Sequence, residues 1–201
     1  HDACGVGLVA STEGKKSRKV VEYGLQALKA VWHRGAVDAD GKTGDGAGIH
    51  IEIAPDFFKE KIISTGNTPD ETKRICVGMV FLPRTDYVEQ EKCREIIESV
   101  LLEENYYIYG WRQVPFNSSA LGKTAEQSRP EIAQVMFKKN ENLATNDLER
   151  NLFETRKKIE KLARENQIKN FYICSFSSRS IVYKGMFLAE LLADFYPDLN
   201  D

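Results

Sequence analysis

The sequence predicts a mixed α/β or layered α+β domain rather than a doubly wound parallel sheet, and three observations carry that reading. The chain has 201 residues, of which 42% are hydrophobic and 29% charged, enough to bury a sizeable core and unlike a disordered segment. Alternating apolar stretches interleave with helix-periodic ones, but without the strict strand-helix-strand rhythm of a parallel sheet. Neither an internal repeat nor a linker-like stretch divides the chain.

Residues 5–10, within CGVGLVA, read as a short strand closed by the turn-like STEGKKS. From Ser17, the apolar residues Val20, Val21, Leu25, Leu28, Val31 and Trp32 fall on one helix face, with Ser17 as the cap and Gly35 as the stop. AGIHIEIAP alternates like a strand, and Pro55 suits the first turn of a short helix through DFFKEKI. ICVGMVFLP is a strongly apolar strand, and Asp86 with Glu89 forms a capping pair for the helix that follows. YYIYGWRQVP reads as a strand, NSSALGKTAEQSRP as a polar loop and EIAQVMFKK as another strand. A long amphipathic helix then places Leu148, Leu152, Ile159 and Leu162 on one side, its charges forming a solvated face. FYICSFS and SIVYKG are expected to pair as a hairpin before the final AELLADFYPDL.

Lys and Arg total 28 against 30 Asp and Glu, a formal net charge of −2, which gives no electrostatic case for nucleic acid or an acidic membrane as partner. No stretch approaches the roughly 18 continuous apolar residues of a membrane span. The N-terminus lacks a basic segment followed by an apolar run, so a cytoplasmic location is expected. The four cysteines, at 4, 76, 93 and 174, show no C-x-x-C pairing of the metal or redox type. Their low density also argues against a disulfide framework. Cys76 and Cys174 alternate with apolar neighbours and are expected in buried strands, and Cys93 is expected to pack from a helix. Cys4 needs a different explanation.

GKTGDGAGIHIEI carries Gly44, Gly46 and Gly48. Phosphate-cradling loops follow a strand and open a helix, so that amides converge on the anion. In this sequence a helix comes before the glycines and a strand after them, and nucleotide binding is not expected. The glycines instead imply positive φ and close passage of another chain segment.

A thiol with a reference pKa of about 8.5 is a modest nucleophile until a base or cation activates it. If Cys4 becomes the first residue, its own α-amine, with a pKa of about 7.7 to 8.0, can take the thiol proton. Joined to Ala3, that nitrogen is an amide and cannot. Residues 1–3 are therefore expected to be a propeptide remnant or an artificial leader, with the domain occupying residues 4–201.

CGVG at residues 4–7 and WHRGAVDADGKTGDGAGI at residues 32–49 resemble the glutaminase domain of class II, N-terminal-nucleophile (Ntn) amidotransferases. TGDGAG, WRQVP, SSRSIVYKGM and FYPDL are similar to the glutamate synthase branch of that family, and the resemblance runs from Cys4 to Leu199. It implies an α+β fold, the four-layer αββα Ntn-hydrolase sandwich, truncated on its C-terminal side. The implied reaction hydrolyses L-glutamine to glutamate and ammonia, the ammonia being channelled to 2-oxoglutarate. No cofactor is implied in this chain. FMN and an iron–sulfur cluster are implied for the remaining domains of the synthase, with a small reductase subunit or ferredoxin as partner.

By the same resemblance Cys4 is the catalytic nucleophile that forms a γ-glutamyl thioester. Arg34 and Gly35 belong to a His-Arg-Gly motif that binds substrate or supports the active site; for Arg34 a buried salt bridge under the turn is the alternative, and His33 is expected to be structural. Asp45 matches a turn packed near the nucleophile. The family's carboxylate-clamping Arg in H-x-R-F-S-T-N, its oxyanion Asn-Gly in H-N-G-E and an Asp for the substrate's amino group do not occur in this sequence. Loss of one oxyanion donor costs roughly 10²- to 10³-fold in rate, so the isolated chain is expected to have negligible glutaminase activity. The alternatives are another class II amidotransferase, disfavoured by the long segment 55–169, or a non-catalytic interaction module in which Cys4 is an ordinary thiol.

Overall fold

A computed structural model of the chain describes residues 5–31 and 36–200. They form two compact units: one from the chain before Glu52 together with Pro115–Arg129 and the chain from Val182 onward, the other from Glu52–Val114 and Pro130–Ile181.

The second unit is built on a four-stranded sheet. Its strands are β2 (Cys76–Leu82), β3 (Tyr106–Gln113), β4 (Glu131–Lys139) and β5 (Tyr172–Ser177), in the order β3-β4-β2-β5. Every neighbouring pair is antiparallel, with Val80 opposite Ala133 of β4 and Ile173 of β5. Strand β2 lies inside the sheet and is buried along nearly its whole length, which is why its sequence reads as an unbroken apolar run rather than an alternation. Two helices, α3 (Tyr87–Glu103) and α5 (Thr145–Glu165), contribute Cys93, Ile97, Leu148, Leu152 and Ile159 to the same core as Val80, Val135 and Phe137 of the sheet. The Asp86 carboxylate caps α3 by accepting from the Glu89 N–H at 2.9 Å. Helix α2 (Pro55–Ser64) opens with proline in its first turn and buries Phe58 and Ile62.

The first unit contains α1 (Arg18–Ala30), whose Ser17 cap accepts from the Lys19 N–H at 3.3 Å. Strand β1 (Ala47–Glu52) pairs with β6 (Ser180–Gly185) in a two-stranded sheet. Two short helices, α4 (Lys123–Ser128) and α6 (Leu192–Phe195), complete this unit. Aromatic rings hold its centre: Phe195 lies 5.1 Å from Phe187, 4.6 Å from Tyr196 and 5.7 Å from Phe116, measured between ring centroids. The Tyr196 hydroxyl is satisfied by donating to the Lys184 carbonyl at 2.9 Å, as a buried phenol requires.

Three sequence expectations are corrected. Residues 5–10 form no strand, and Val6 and Leu8 are 94% and 92% exposed; apolar alternation supplies only a propensity, and no described strand pairs with this one. The predicted hairpin does not form, because β5 belongs to the four-stranded sheet and β6 pairs with β1. The turn between them is held from a distance: the Glu149 carboxylate of α5 accepts from the Ser177 hydroxyl at 2.8 Å and from the Ser178 N–H and hydroxyl at 2.8 and 2.6 Å. The Ser177 hydroxyl oxygen in turn accepts from the Arg179 and Ser180 N–H groups, so the chain turns away from β5. The polar loop through NSSALGKTAEQSRP contains a 3-10 turn, Ser118–Ala120, and helix α4.

Leu152 is fully buried whereas Phe153, one residue on, is 58% exposed. Replacing Leu152 by Ala is expected to cost about 2–5 kcal/mol of unfolding free energy. Phe153→Ser should change it by no more than about 0.5 kcal/mol. Urea denaturation followed by circular dichroism checks both.

Candidate active site

The turn that joins α1 to β1 is a small antiparallel ladder closed at its tip. Its limbs meet at a bridge between Val37 and Gly44. The Asp38 N–H donates to the Thr43 carbonyl at 2.9 Å, and the Gly41 N–H donates to the Asp38 carbonyl at 3.0 Å. At the open end, Asp45 Oδ2 accepts from the Ala36 N–H at 3.0 Å. Asp45 is exposed at that position.

The crowding implied by the glycines is present, and its source is the segment around β6. A β-carbon on Gly48 would stand 2.9 Å from the Tyr183 carbonyl oxygen and 2.8 Å from the Lys184 β-carbon, so no larger residue fits without a shift. The Leu188 N–H donates to the Lys42 carbonyl at 3.3 Å, which fixes the tip of the turn to the same segment.

Electrostatically, the centre of the turn is Asp40. Its Oδ2 accepts from the Thr43 hydroxyl at 2.6 Å, and its Oδ1 from the Thr43 and Lys42 N–H groups at 2.7 and 3.0 Å. The Thr124 N–H adds a fourth donor to Oδ2 at 3.2 Å. These contacts, the Thr43 hydroxyl foremost, hold the Asp40 carboxyl well below the usual carboxylate range. Sequence reasoning missed Asp40 and Thr43. Their i, i+3 spacing around Gly41 is the mark of a side-chain-closed turn, and that signal was legible.

Of the site residues expected from the sequence, Asp45 is the one the structure places. Cys4, Arg34 and Gly35 lie outside the described residues, as does His33. A β-carbon on Gly5, the residue after Cys4, would stand 3.0 Å from that of Val31, at the end of α1. Ala36, the residue after Gly35, is the donor to Asp45.

The other thiols are poor candidates for nucleophilic chemistry. Cys76, Cys93 and Cys174 are all buried, in β2, α3 and β5. Burial pushes the Cys93 thiol up to about 12, and raises Cys76 further still, so both stay protonated at neutral pH. Among the described residues no three His, Cys, Asp or Glu side chains converge as metal donors. These cysteines come from separate elements and do not fit the thiolate set of an iron–sulfur cluster. No described helix is long and apolar enough to cross a membrane.

The sequence profile of the family described as "Glutamine amidotransferases class-II" matches residues 4–201, and the chain belongs to that family. Its mixed α+β fold, two sheets with flanking helices, is of the family's Ntn-hydrolase sandwich type. The chain is 54% identical over 201 residues to the "Glutamate synthase [NADPH] large chain" of Azospirillum brasilense, covering 100% of this chain and 13% of that protein. It is 42% identical over 202 residues to the "Ferredoxin-dependent glutamate synthase" of Pyropia yezoensis, covering 99% of this chain and 13% of that protein. A "Glutamate synthase [NADPH] large chain" of Bacillus subtilis (strain 168) is 39% identical over 202 residues, covering 100% of this chain and 13% of that protein. The chain thus spans 13% of the length of each of these relatives.

The lowered Asp40 pKa sets a sign for pH dependence. A carboxyl depressed in the folded state stabilises fully above its unfolded value, about 3.9, and that contribution is lost as pH falls through and below it. Asp40→Asn should therefore melt below the wild type at pH 7, and the gap should narrow steadily as pH falls from about 5 toward about 2. Thermal melts across that range measure it.

Proposed function

We propose that this chain is the glutaminase part of a glutamate synthase, with the domain beginning at Cys4 and residues 1–3 removed in the working enzyme. The observation that carries the proposal is the family match starting at residue 4, together with similarity to glutamate synthases along the whole chain. L-glutamine is the substrate. The α-amine of Cys4 takes the thiol proton, and the thiolate attacks the side-chain amide carbon to form a tetrahedral adduct. Return of that proton to the nitrogen releases ammonia and leaves a γ-glutamyl thioester. Water, deprotonated by the same amine, then cleaves the thioester to glutamate and restores the thiol. Arg34, Gly35 and Asp45 support this site through the turn that ends in the Asp45 to Ala36 contact.

The ammonia is passed to the remaining domains of the synthase, where 2-oxoglutarate is aminated. FMN and an iron–sulfur cluster belong to those domains, and electrons come from a small reductase subunit or ferredoxin; the working location is cytoplasmic. The clamp Arg, the oxyanion Asn-Gly and the substrate-amine Asp do not occur in residues 1–201, so this chain by itself does not turn glutamine over.

In the complete protein, Cys4→Ala should abolish glutamine-dependent glutamate formation while leaving ammonia-dependent formation intact. A diazo-ketone glutamine analogue should label wild-type Cys4 and no other thiol, as read by peptide mass spectrometry. Full glutamine activity with residues 1–3 still attached would overturn the α-amine as base.

A further inference from the structure

Helix α4 is capped from a distance. Its N-cap residue is Gly122, which makes no side-chain cap hydrogen bond. A helix ordinarily satisfies the N–H groups of its second and third residues with an oxygen from its own N-cap side chain. In α4 those residues are Thr124 and Ala125. Their N–H groups donate to Asp40 Oδ2 at 3.2 Å and to Thr43 Oγ1 at 3.3 Å, oxygens 84 and 82 residues away in the chain. Those two oxygens occupy the space that a side chain at Gly122 would need. A β-carbon there would stand 2.2 Å from Asp40 Oδ2 and 2.4 Å from Thr43 Oγ1, far inside contact distance. Thr43 is only 4% exposed, so its hydroxyl has no room to swing to solvent.

The same two residues close the tip of the turn whose open end carries Asp45. From Thr43 the limb runs through the Val37–Gly44 bridge to Asp45, which accepts from Ala36, the residue that follows the His33-Arg34-Gly35 motif. We propose that Asp40, Thr43 and Gly122 form a positioning latch for the amidotransferase site: by capping α4 they fix the limb that carries Asp45 and the start of the limb at Ala36. The latch rests on the glutaminase reading. None of its three residues touches substrate; each acts through the turn.

The variants separate the parts of the latch. Thr43→Val removes the hydroxyl at nearly constant volume, and Thr43→Ser keeps it. Asp40→Asn retains one acceptor for the Lys42 and Thr43 N–H groups but can place an NH2 against the Thr124 N–H. Gly122→Ala pushes a methyl group between the partners. In the complete protein, processed to Cys4, we expect Thr43→Val, Asp40→Asn and Gly122→Ala each to lower glutamine kcat about 10- to 100-fold, the scale of a misplaced supporting group. The rate of Cys4 labelling by the diazo-ketone analogue should fall in parallel. Thr43→Ser should restore both to within about twofold of wild type, because the hydroxyl is what matters. Ammonia-dependent turnover should remain at the wild-type level in every variant. If Gly122→Ala does not fold, the Thr43→Val and Thr43→Ser pair decides alone.

Variants with wild-type kcat and labelling, in a wild-type protein that is active, would overturn the latch and leave the glutaminase reading standing. Equal losses of glutamine- and ammonia-dependent turnover would also overturn it, since that pattern marks general instability. A wild-type protein that neither hydrolyses glutamine nor labels at Cys4 would overturn the glutaminase reading first, and the latch as its positioning device with it.

Discussion

The carboxylate of Glu149 decides where the chain goes after β5. With three donors from Ser177 and Ser178 it stops the strand, and the Ser177 hydroxyl oxygen then gathers the next two N–H groups. Released from β5, the chain supplies β6 as the partner of β1, and residues 183–188 as the surface against which the 36–46 turn is packed. A half-buried carboxylate with several donors is worth more than an exposed pair, because less water competes for its lone pairs. The placement of Asp45 therefore depends on contacts made far from it in sequence.

Much of the fold was legible because single elements carried consistent local signals. Ser17, Pro55 and the Asp86–Glu89 pair mark helix starts by the donors they satisfy or lack, and each helix begins where its cap predicts. Cys76 and Cys174 were readable as strand interior from their apolar neighbours. The errors share a different cause. Whether SSRS closes a hairpin or sends the strands to separate sheets is settled by Glu149, some 28 residues upstream, and no local window contains it. Helix α4 was read as loop for the same reason: its caps are Asp40 and Thr43. At residues 5–10 the apolar alternation was real, but a strand needs a neighbour as well as a pattern.

The site was legible in part. The spacing of CGVG, the His-Arg-Gly motif and the glycine turn pointed to a family before any geometry was known, and Asp45 sits in the turn between α1 and β1. Cys4, Arg34 and Gly35 lie outside the described residues, and the roles proposed for them rest on the sequence motifs. The structure adds a chemical contrast to that reading. Cys76 and Cys93 are held protonated by burial and serve as packing groups, which leaves the thiol at the start of the domain as the one whose chemistry needs explaining.

The remote cap on α4 also bears on the order of assembly. Six residues are too few to sustain a helix in water, where nucleation costs more than so short a segment can recover. With its Thr124 and Ala125 amides satisfied by Asp40 and Thr43, this segment is no early local seed during folding. It becomes helical when a loop from the beginning of the chain arrives, so the two segments order together and must also fray together. Amide protons of Thr124 and Ala125 should then exchange with solvent in step with that of Thr43, as one cooperative unit spread across a separation of some eighty residues.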